Sequence, residues 1–416
     1  VKRFQEKSIV PKRQLTRIDQ TVAKDLLGWR NINTFHMIFH TREIKNQLLV
    51  MAKQMEELTD ELERKSKLLE QTTQKNVELS AKFDESQISR IELDRIHAGR
   101  LLDISAVSQP LILISQIQRS GGTLLARLFD GHPQCLSYGH ELYIGHPNKS
   151  TWPRISLNDT RERWWEILKE SAAIRHFNKG FYKFSPGSES EHEVLPFLLV
   201  PSLQERIFNE ILAKSTIKTP RDVFDAYMTS YFNAWLDYKN ISRGLKKEYV
   251  TAFVPRMHEE NNNIEQFFSI YPDGFFITIV RDPLNWYASA ARHMSTEYGD
   301  FRVAMQLWKA STKQSLKLSR QYRSRVILIL FEDLVRNVDG IMRQVADLLE
   351  IDFLPSLTMP TFNGIPVKAD SSFSVEKTGI LPEVLDRSNF LEPNNLPEDE
   401  EAMNLYSEAR ARRSVT

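Results

Sequence analysis

The stretch Leu111 to Pro133, LILISQIQRSGGTLLARLFDGHP, restricts what the rest of the chain can fold into. Its four opening apolar residues, Leu111 to Ile114, read as a short buried strand. A polar loop follows, Gln118-Arg119-Ser120-Gly121-Gly122-Thr123. Leu124, Leu125, Leu128 and Phe129 then recur at helical spacing, and Gly131 and Pro133 end that helix. Strand, tight loop and helix N-terminus in this order make an anion site. The first helical N–H groups lack intrahelical partners and point at the loop, where the macrodipole favours negative charge. Glycines at 121 and 122 let backbone approach a phosphate, Ser120 and Thr123 add hydroxyls, and Arg119 adds fixed charge. Arg119, Ser120, Gly121, Gly122, Thr123 and Leu124 are therefore the candidate phosphate-binding residues. An ordinary βα turn is the plainer alternative, and Arg, Ser and Thr crowded around two glycines argue against it.

Further strands are read at Leu136 to Leu142, ending in Gly139-His140-Glu141, and at Val250 to Val254, Gly274 to Val280 (GFFITIV) and Arg325 to Phe331 (RVILILF). Helical spacing separates them over Thr160 to Phe177 and Asp222 to Tyr238, whose aromatic stripes read as core. Ser185 to Glu193, rich in Ser, Gly and Glu, reads as a mobile loop. Continuous apolar strands alternating with helices predict an α/β fold, a central parallel sheet with helices on both faces.

A second anion site is predicted at Ile279-Val280-Arg281-Asp282-Pro283. An Arg at the C-terminal end of a buried strand faces the crevice where open α/β sheets bind ligands. Ser289, eight residues on, falls about two turns into a helix starting near Pro283. Arg281 and Ser289 together suit a phosphate, through a forked charge-assisted bond and a hydroxyl. On its own, Arg281–Asp282 reads equally as a local structural pair.

The first loop is not the nucleoside-triphosphatase signature G-x-x-x-x-G-K-[ST]. The position five before Gly121 holds Gln116, and no Lys follows either glycine. The loop instead resembles the 5′-phosphosulfate loop of sulfotransferases, Arg/Lys-Ser-Gly-Thr-Thr, and Asp130-Gly131-His132-Pro133 resembles the family's D-x-H-P. Gly122 departs from that pattern by replacing the first threonine. Arg281 and Ser289 resemble the family's 3′-phosphate site. Val326 to Ile351 is similar to its late strand, Glu-Asp-Leu turn and helix. Pro360 to Gly364 and Asp370 to Phe373 resemble the closing segment of bacterial-type members. The resemblance spans roughly Ala106 to Phe390. It implies the P-loop-like sulfotransferase fold, transfer from 3′-phosphoadenosine 5′-phosphosulfate (PAPS) and no metal requirement.

It also bears on the general base. Small-molecule sulfotransferases use a His just before a Pro, but here the matching stretch is Phe253-Val254-Pro255. Protein-tyrosine and heparan-type members use a Glu in a Gly-Glu-Glu-like turn. Gly139-His140-Glu141 matches that placement, which makes Glu141 the expected base and His140 its rival. Arg119 is expected to stabilise charge on the transferring group. A nucleotide kinase would need a P-loop Lys. A coiled-coil scaffold with a decayed domain would not need both phosphate motifs.

Composition narrows the partners. A net charge of +1 gives no global field for nucleic acid, and disfavours a strongly acidic polymer as acceptor. A local groove from Arg256, His258 and Lys183 still suits a sugar, so the acceptor class is a glycan, a lipid or another small molecule. The single cysteine, Cys135, excludes an intramolecular disulfide framework and reads as filler. No apolar run approaches the roughly 18 residues of a membrane span, and no charged-apolar-small leader opens the chain. The expectation is a cytoplasmic protein without a transmembrane segment.

The N-terminal quarter differs in character. Its first thirty residues are polar and basic. From Ile44, apolar residues recur at alternating spacings of four and three: Leu48, Met51, Met55, Leu58, Leu62, then Leu69, Leu79 and Phe83, with Lys65, Thr72 and Asn76 at the intervening positions, so the seam is strong through Leu62 and weaker afterwards. Glycine and proline are absent from Thr41 to Ala98. This predicts a long helix with a coiled-coil seam and a homodimer formed through it; the alternative is a helix packed on its own domain. The expected organisation is a basic segment and long helix over 1–105, a sulfotransferase domain over 106–391 and a polar tail over 392–416.

Overall fold

The computed structural model describes residues 36–85, 90–142, 152–169, 197–241, 245–368, 378–385, 388 and 399–415. The basic N-terminal segment, the loop expected at Ser185 to Glu193 and the segment Asp370 to Phe373 lie outside the described residues. The chain divides into two compact units between Arg90 and Ile91.

The first unit contains helix α1, His36–Glu85. It covers the glycine- and proline-free stretch from Thr41 as far as Glu85. The seam residues Leu48, Met51, Met55, Leu58, Leu62 and Leu69 are each more than half exposed.

In the second unit, helix α2, Arg90–Leu102, precedes the sheet. Arg100 Nη2 donates to the Leu236 carbonyl at 2.9 Å, and Leu101 and Ile104 pack on the aromatic core. Residues just before 105, grouped by sequence with the long helix, are thus held by the second unit.

Five parallel strands follow: β1 Leu111–Ile114, β2 Cys135–Glu141, β3 Tyr249–Phe253, β4 Phe275–Val280 and β5 Val326–Leu330. Their order is β2-β3-β1-β4-β5, with β1 at the centre. Alternation along β1 builds two cores. Leu111 and Leu113 face one cluster, Ile112 and Ile114 the other. The strands and the helix boundary at Pro283 agree with the sequence expectation to within a residue or two.

Helix α3, Gly122–Phe129, covers the face of Ile112 and Ile114. On the opposite face lie α4 Arg161–Leu168, α5 Pro201–Lys214, α6 Pro220–Ala234 and α7 Asn261–Ile270. Helix α6 starts where Thr219 and Asp222 form a capping box ahead of its buried aromatic stripe. Tyr227, Tyr231 and Trp235 are core, as predicted. Helices α8 Pro283–His293 and α9 Phe301–Gln321 carry a third cluster; α10 Phe331–Arg336 and α11 Val338–Leu348 follow β5.

The segment expected to be a polar tail contains helix α12, Glu400–Arg412. Only small residues, Ala402 and Ala409, are fully buried along it, seven apart, so no apolar stripe announces it. It docks through Lys309–Asp399 at 2.9 Å and Tyr406 Oη to Glu332 Oε2 at 2.8 Å. Beyond it, Ser414 N donates to the Leu328 carbonyl at 2.8 Å, and Leu328 N donates to Ser414 Oγ at 2.9 Å. The free edge of β5 is thereby paired.

Candidate active site

The phosphate loop leaves β1 at its C-terminal end, between β3 and β4, where the sheet's connections diverge to either side. Gly121 has φ 103° and is the N-cap of α3. A Cβ there would lie 2.4 Å from the Phe331 ring, so the position requires glycine for conformation and space. Arg119 also sits at positive φ, 68°, an unusual conformation for a long side chain that turns its guanidinium out of the strand direction. Gln118 is pinned from α8 and the turn after it, by Trp286 Nε1 to its carbonyl (2.7 Å) and by Tyr298 Oη to its Oε1 (2.8 Å).

The second motif meets the first. Arg281 is 3% exposed; its Nη1 donates to the Arg119 carbonyl at 2.9 Å and its Nη2 to the Val384 carbonyl at 2.7 Å. Its guanidinium lies 4.4 Å from the centre of the Phe331 ring. Arg119 Nε donates to Ser289 Oγ at 3.3 Å. Asp282 is the N-cap of α8, accepting from Leu284 N and Asn285 N, and Pro283 occupies the first turn. Glu332 accepts from Asp282 N at 3.0 Å while Tyr406 donates to its other oxygen, and burial pushes its carboxyl above the ordinary value. Helix α12 therefore braces the turn that carries Arg281.

One cavity collects most of these residues. Arg119, Gly121, Gly122, Thr123, Leu124 and Arg281 line it, all expected from sequence. Ser120 lies beneath it, 1% exposed, with its hydroxyl unpartnered among the described residues. Ser289 adjoins through Arg119. The sequence reading missed Gln116, Phe253 and Phe331, three residues at or just past strand ends, and Lys368 with residues 379–384, which close the opposite wall. Strand-end position alone would have found the first three. Lys368 lies next to a stretch that resembles the family's closing segment. A buried loop hydroxyl, two arginines and a glycine cradle fit a doubly phosphorylated nucleotide. No group of three or more His, Cys, Asp or Glu that could hold a metal ion occurs among the described residues.

Glu141 and His140 are not in this lining. They end β2, where Glu141 is the register partner of Phe253, a lining residue. The fully buried Arg127 donates to the carbonyls of Tyr138 (3.2 Å) and Gly139 (3.1 Å), fixing the strand just before them. Burial lowers the affinity of Arg127 for its proton, partly offset by Asp130; Asp130, raised by burial, is bonded to Thr361 Oγ1 and Gly364 N. His140 packs among Tyr138, Phe197 and Tyr231, with Nδ1 3.4 Å from Tyr231 Oη.

The expected sugar groove is corrected. His258 is fully buried between Ser115 and Ser311, with burial pushing its imidazole down to about 3, so it lines no sugar groove. Arg256 is engaged by Glu259 and Glu297 at 3.0 and 2.7 Å; Lys183 lies outside the described residues. Cys135 is buried and its thiol pushed up to about 12, which suits filler and not a nucleophile.

The sequence profile of the sulfotransferase family matches residues 110–355, and the chain belongs to that family. In fold it is similar to the sulfotransferase domain from the curacin biosynthetic pathway, with 19% identity, 73% of this chain and 98% of that domain covered, and a TM-score of 0.44. It is similar also to the sulfotransferase domain from the Synechococcus PCC 7002 olefin synthase, with 19% identity, 72% and 94% coverage, and a TM-score of 0.45. No curated protein matches the chain in sequence. No described helix is long and apolar enough to cross a membrane.

Proposed function

We propose that this sulfotransferase uses PAPS as its donor and a hydroxyl- or amine-bearing small molecule, glycan and lipid included, as its acceptor. The observation that carries the reading is the meeting of Arg119, Arg281 and Ser289 beside one cavity, from two motifs far apart in sequence. Arg281 and Ser289 are assigned to the 3′-phosphate, and Ser120 to Leu124 to the 5′ end. When bound, the donor supplies an activated sulfuryl group. Arg119 stabilises negative charge there, and Glu141 takes the acceptor's proton. A kinase reading finds no support, since no lysine follows the loop glycines.

Adenosine 3′,5′-bisphosphate, the expected product, should bind with divalent metals chelated and raise the melting temperature, by about 2.7 kcal/mol of added stability at 100 times Kd. Absence of any shift at millimolar nucleotide would overturn the donor assignment. Screening transfer over glycan, lipid and phenolic acceptors would then identify the class.

We infer further that α1 pairs with a second copy. Its exposed apolar residues keep the heptad spacing from Leu48 to Leu62, with Lys65 and Thr72 at later seam positions, and the neighbouring positions Ala52, Thr59, Ser66 and Thr73 carry no charge. Light scattering should find the full chain dimeric and a chain starting near residue 90 monomeric. A monomeric full chain would rule the pairing out.

A further inference from the structure

Gln116 stands two residues past the end of β1 and faces the donor cavity. It is 1% exposed, yet neither its Nε2 nor its Oε1 has a hydrogen-bond partner among the described residues. A buried amide left in this state costs stability, about 1–3 kcal/mol, and such groups in native proteins call for a reason. Its backbone is fixed, because the Gln116 carbonyl accepts from Arg256 N at 2.9 Å. Its side chain is therefore held against the loop at a conformational and solvation cost.

What it is held against is Gly122. A Cβ built on Gly122 would lie 1.9 Å from Gln116 Nε2 and 2.4 Å from the Phe253 ring. The Gln116 amide thus fills the space that any side chain at 122 would enter. Residue 122 is where this loop departs from the sulfotransferase pattern, glycine standing in place of a threonine. The two features are complementary: a hydroxyl-bearing side chain is missing from the loop, and an unpartnered amide from the strand end lies in the space it would enter.

We propose that the Gln116 side-chain amide is a donor-binding group that contacts the 5′-phosphosulfate end of the nucleotide in place of a loop threonine. Gly122 is the vacancy that admits it. This rests on the donor reading given above. It assigns a contact to a residue outside the loop, and it makes positions 116 and 122 a single exchangeable unit.

The test is a double-mutant cycle read by calorimetric titration with adenosine 3′,5′-bisphosphate and with adenosine 3′-monophosphate, which lacks the 5′ group. Gln116→Ala should weaken the bisphosphate about tenfold and the monophosphate hardly at all, since one hydrogen bond to a charged group is lost only for the first. Gly122→Thr should weaken the bisphosphate at least as much, because its side chain collides with Gln116 and Phe253. Combining the two removes the collision with Gln116 and leaves that with Phe253, so the double variant should bind the bisphosphate more tightly than Gly122→Thr alone and with less than the summed losses.

Additive losses in the double variant, or equal losses for both nucleotides in Gln116→Ala, would overturn the proposal and leave Gln116 as packing alone. Should Gly122→Thr fail to fold, Gln116→Glu keeps the shape and replaces a donor with a carboxylate. It should lose more bisphosphate affinity than Gln116→Ala, and parity between the two would overturn the contact. If the unmodified protein binds neither nucleotide, the donor reading itself falls and takes this contact with it. Binding by the unmodified protein together with undiminished binding by the Gln116 variants would remove the contact and spare the donor reading.

Discussion

Glu141→Gln is expected to slow sulfuryl transfer about 10²–10⁴-fold while leaving adenosine 3′,5′-bisphosphate affinity unchanged. Glutamine keeps the shape of the side chain but cannot take the acceptor's proton. Its position at the end of β2, one strand beyond the lining residue Phe253, puts Glu141 beside the donor cavity without making it part of the nucleotide's bed. That placement suits a group serving the acceptor. The strand end is fixed independently of any ligand, by Arg127 on the carbonyls of Tyr138 and Gly139 and by Tyr231 Oη, which accepts from Gly139 N at 3.1 Å. His140 is the residue more deeply packed, with its ring among three aromatic neighbours and its Nδ1 near Tyr231. His140→Asn should therefore cost much less, through positioning. Single-turnover rates alongside binding isotherms separate the outcomes. The reverse order, with His140 essential and Glu141 dispensable, would move the base to the imidazole. Loss of nucleotide affinity in both would make this turn a wall of the pocket and not its chemistry.

Arg281→Ala should weaken adenosine 3′,5′-bisphosphate about 10²-fold, and should weaken a nucleotide lacking the 3′-phosphate by less than about tenfold. The estimate takes a forked charge-assisted contact at roughly 1.5–3 kcal/mol, near the upper end because the group is buried. The smaller effect on the second nucleotide comes from geometry. Arg281 also holds the Arg119 carbonyl and the Val384 carbonyl, so its removal loosens the 5′ loop and the wall opposite. Arg281→Lys keeps the charge but loses the fork and the stacking on Phe331, and should fall between. Equal losses for the two nucleotides by calorimetry would take Arg281 out of the 3′-phosphate role and leave it as a brace.

Much of this architecture can be read in the chain before any coordinates. LILI, FFITIV and VILIL are uninterrupted apolar runs, and burial on both faces of a parallel sheet leaves them little else to be. Arg281-Asp282-Pro283 is legible because strand end, N-cap and first helical turn each constrain one residue type. Gln116 and Phe331 could be suspected from their strand-end positions, but each matters through a glycine it fills against, 122 or 121 respectively, and that contact exists only after folding. His258 misleads for the opposite reason. A histidine next to a crevice looks available in sequence, whereas the turn after β3 buries it between two serines. Helix α12 hides because its buried positions are alanines, which composition counts as nearly neutral.

The pairing of Ser414 with the outer edge of β5 has a consequence for how the protein is made. The two residues are 86 positions apart, so a chain emerging from the ribosome at about 5–20 residues per second exposes the β5 edge for roughly ten seconds before its cover exists. An unpaired apolar strand is a template for a neighbouring nascent chain. The same late segment delivers Tyr406 to Glu332, and through it steadies Asp282 beside Arg281. The brace on the turn that carries Arg281 is therefore complete only when translation has passed Tyr406.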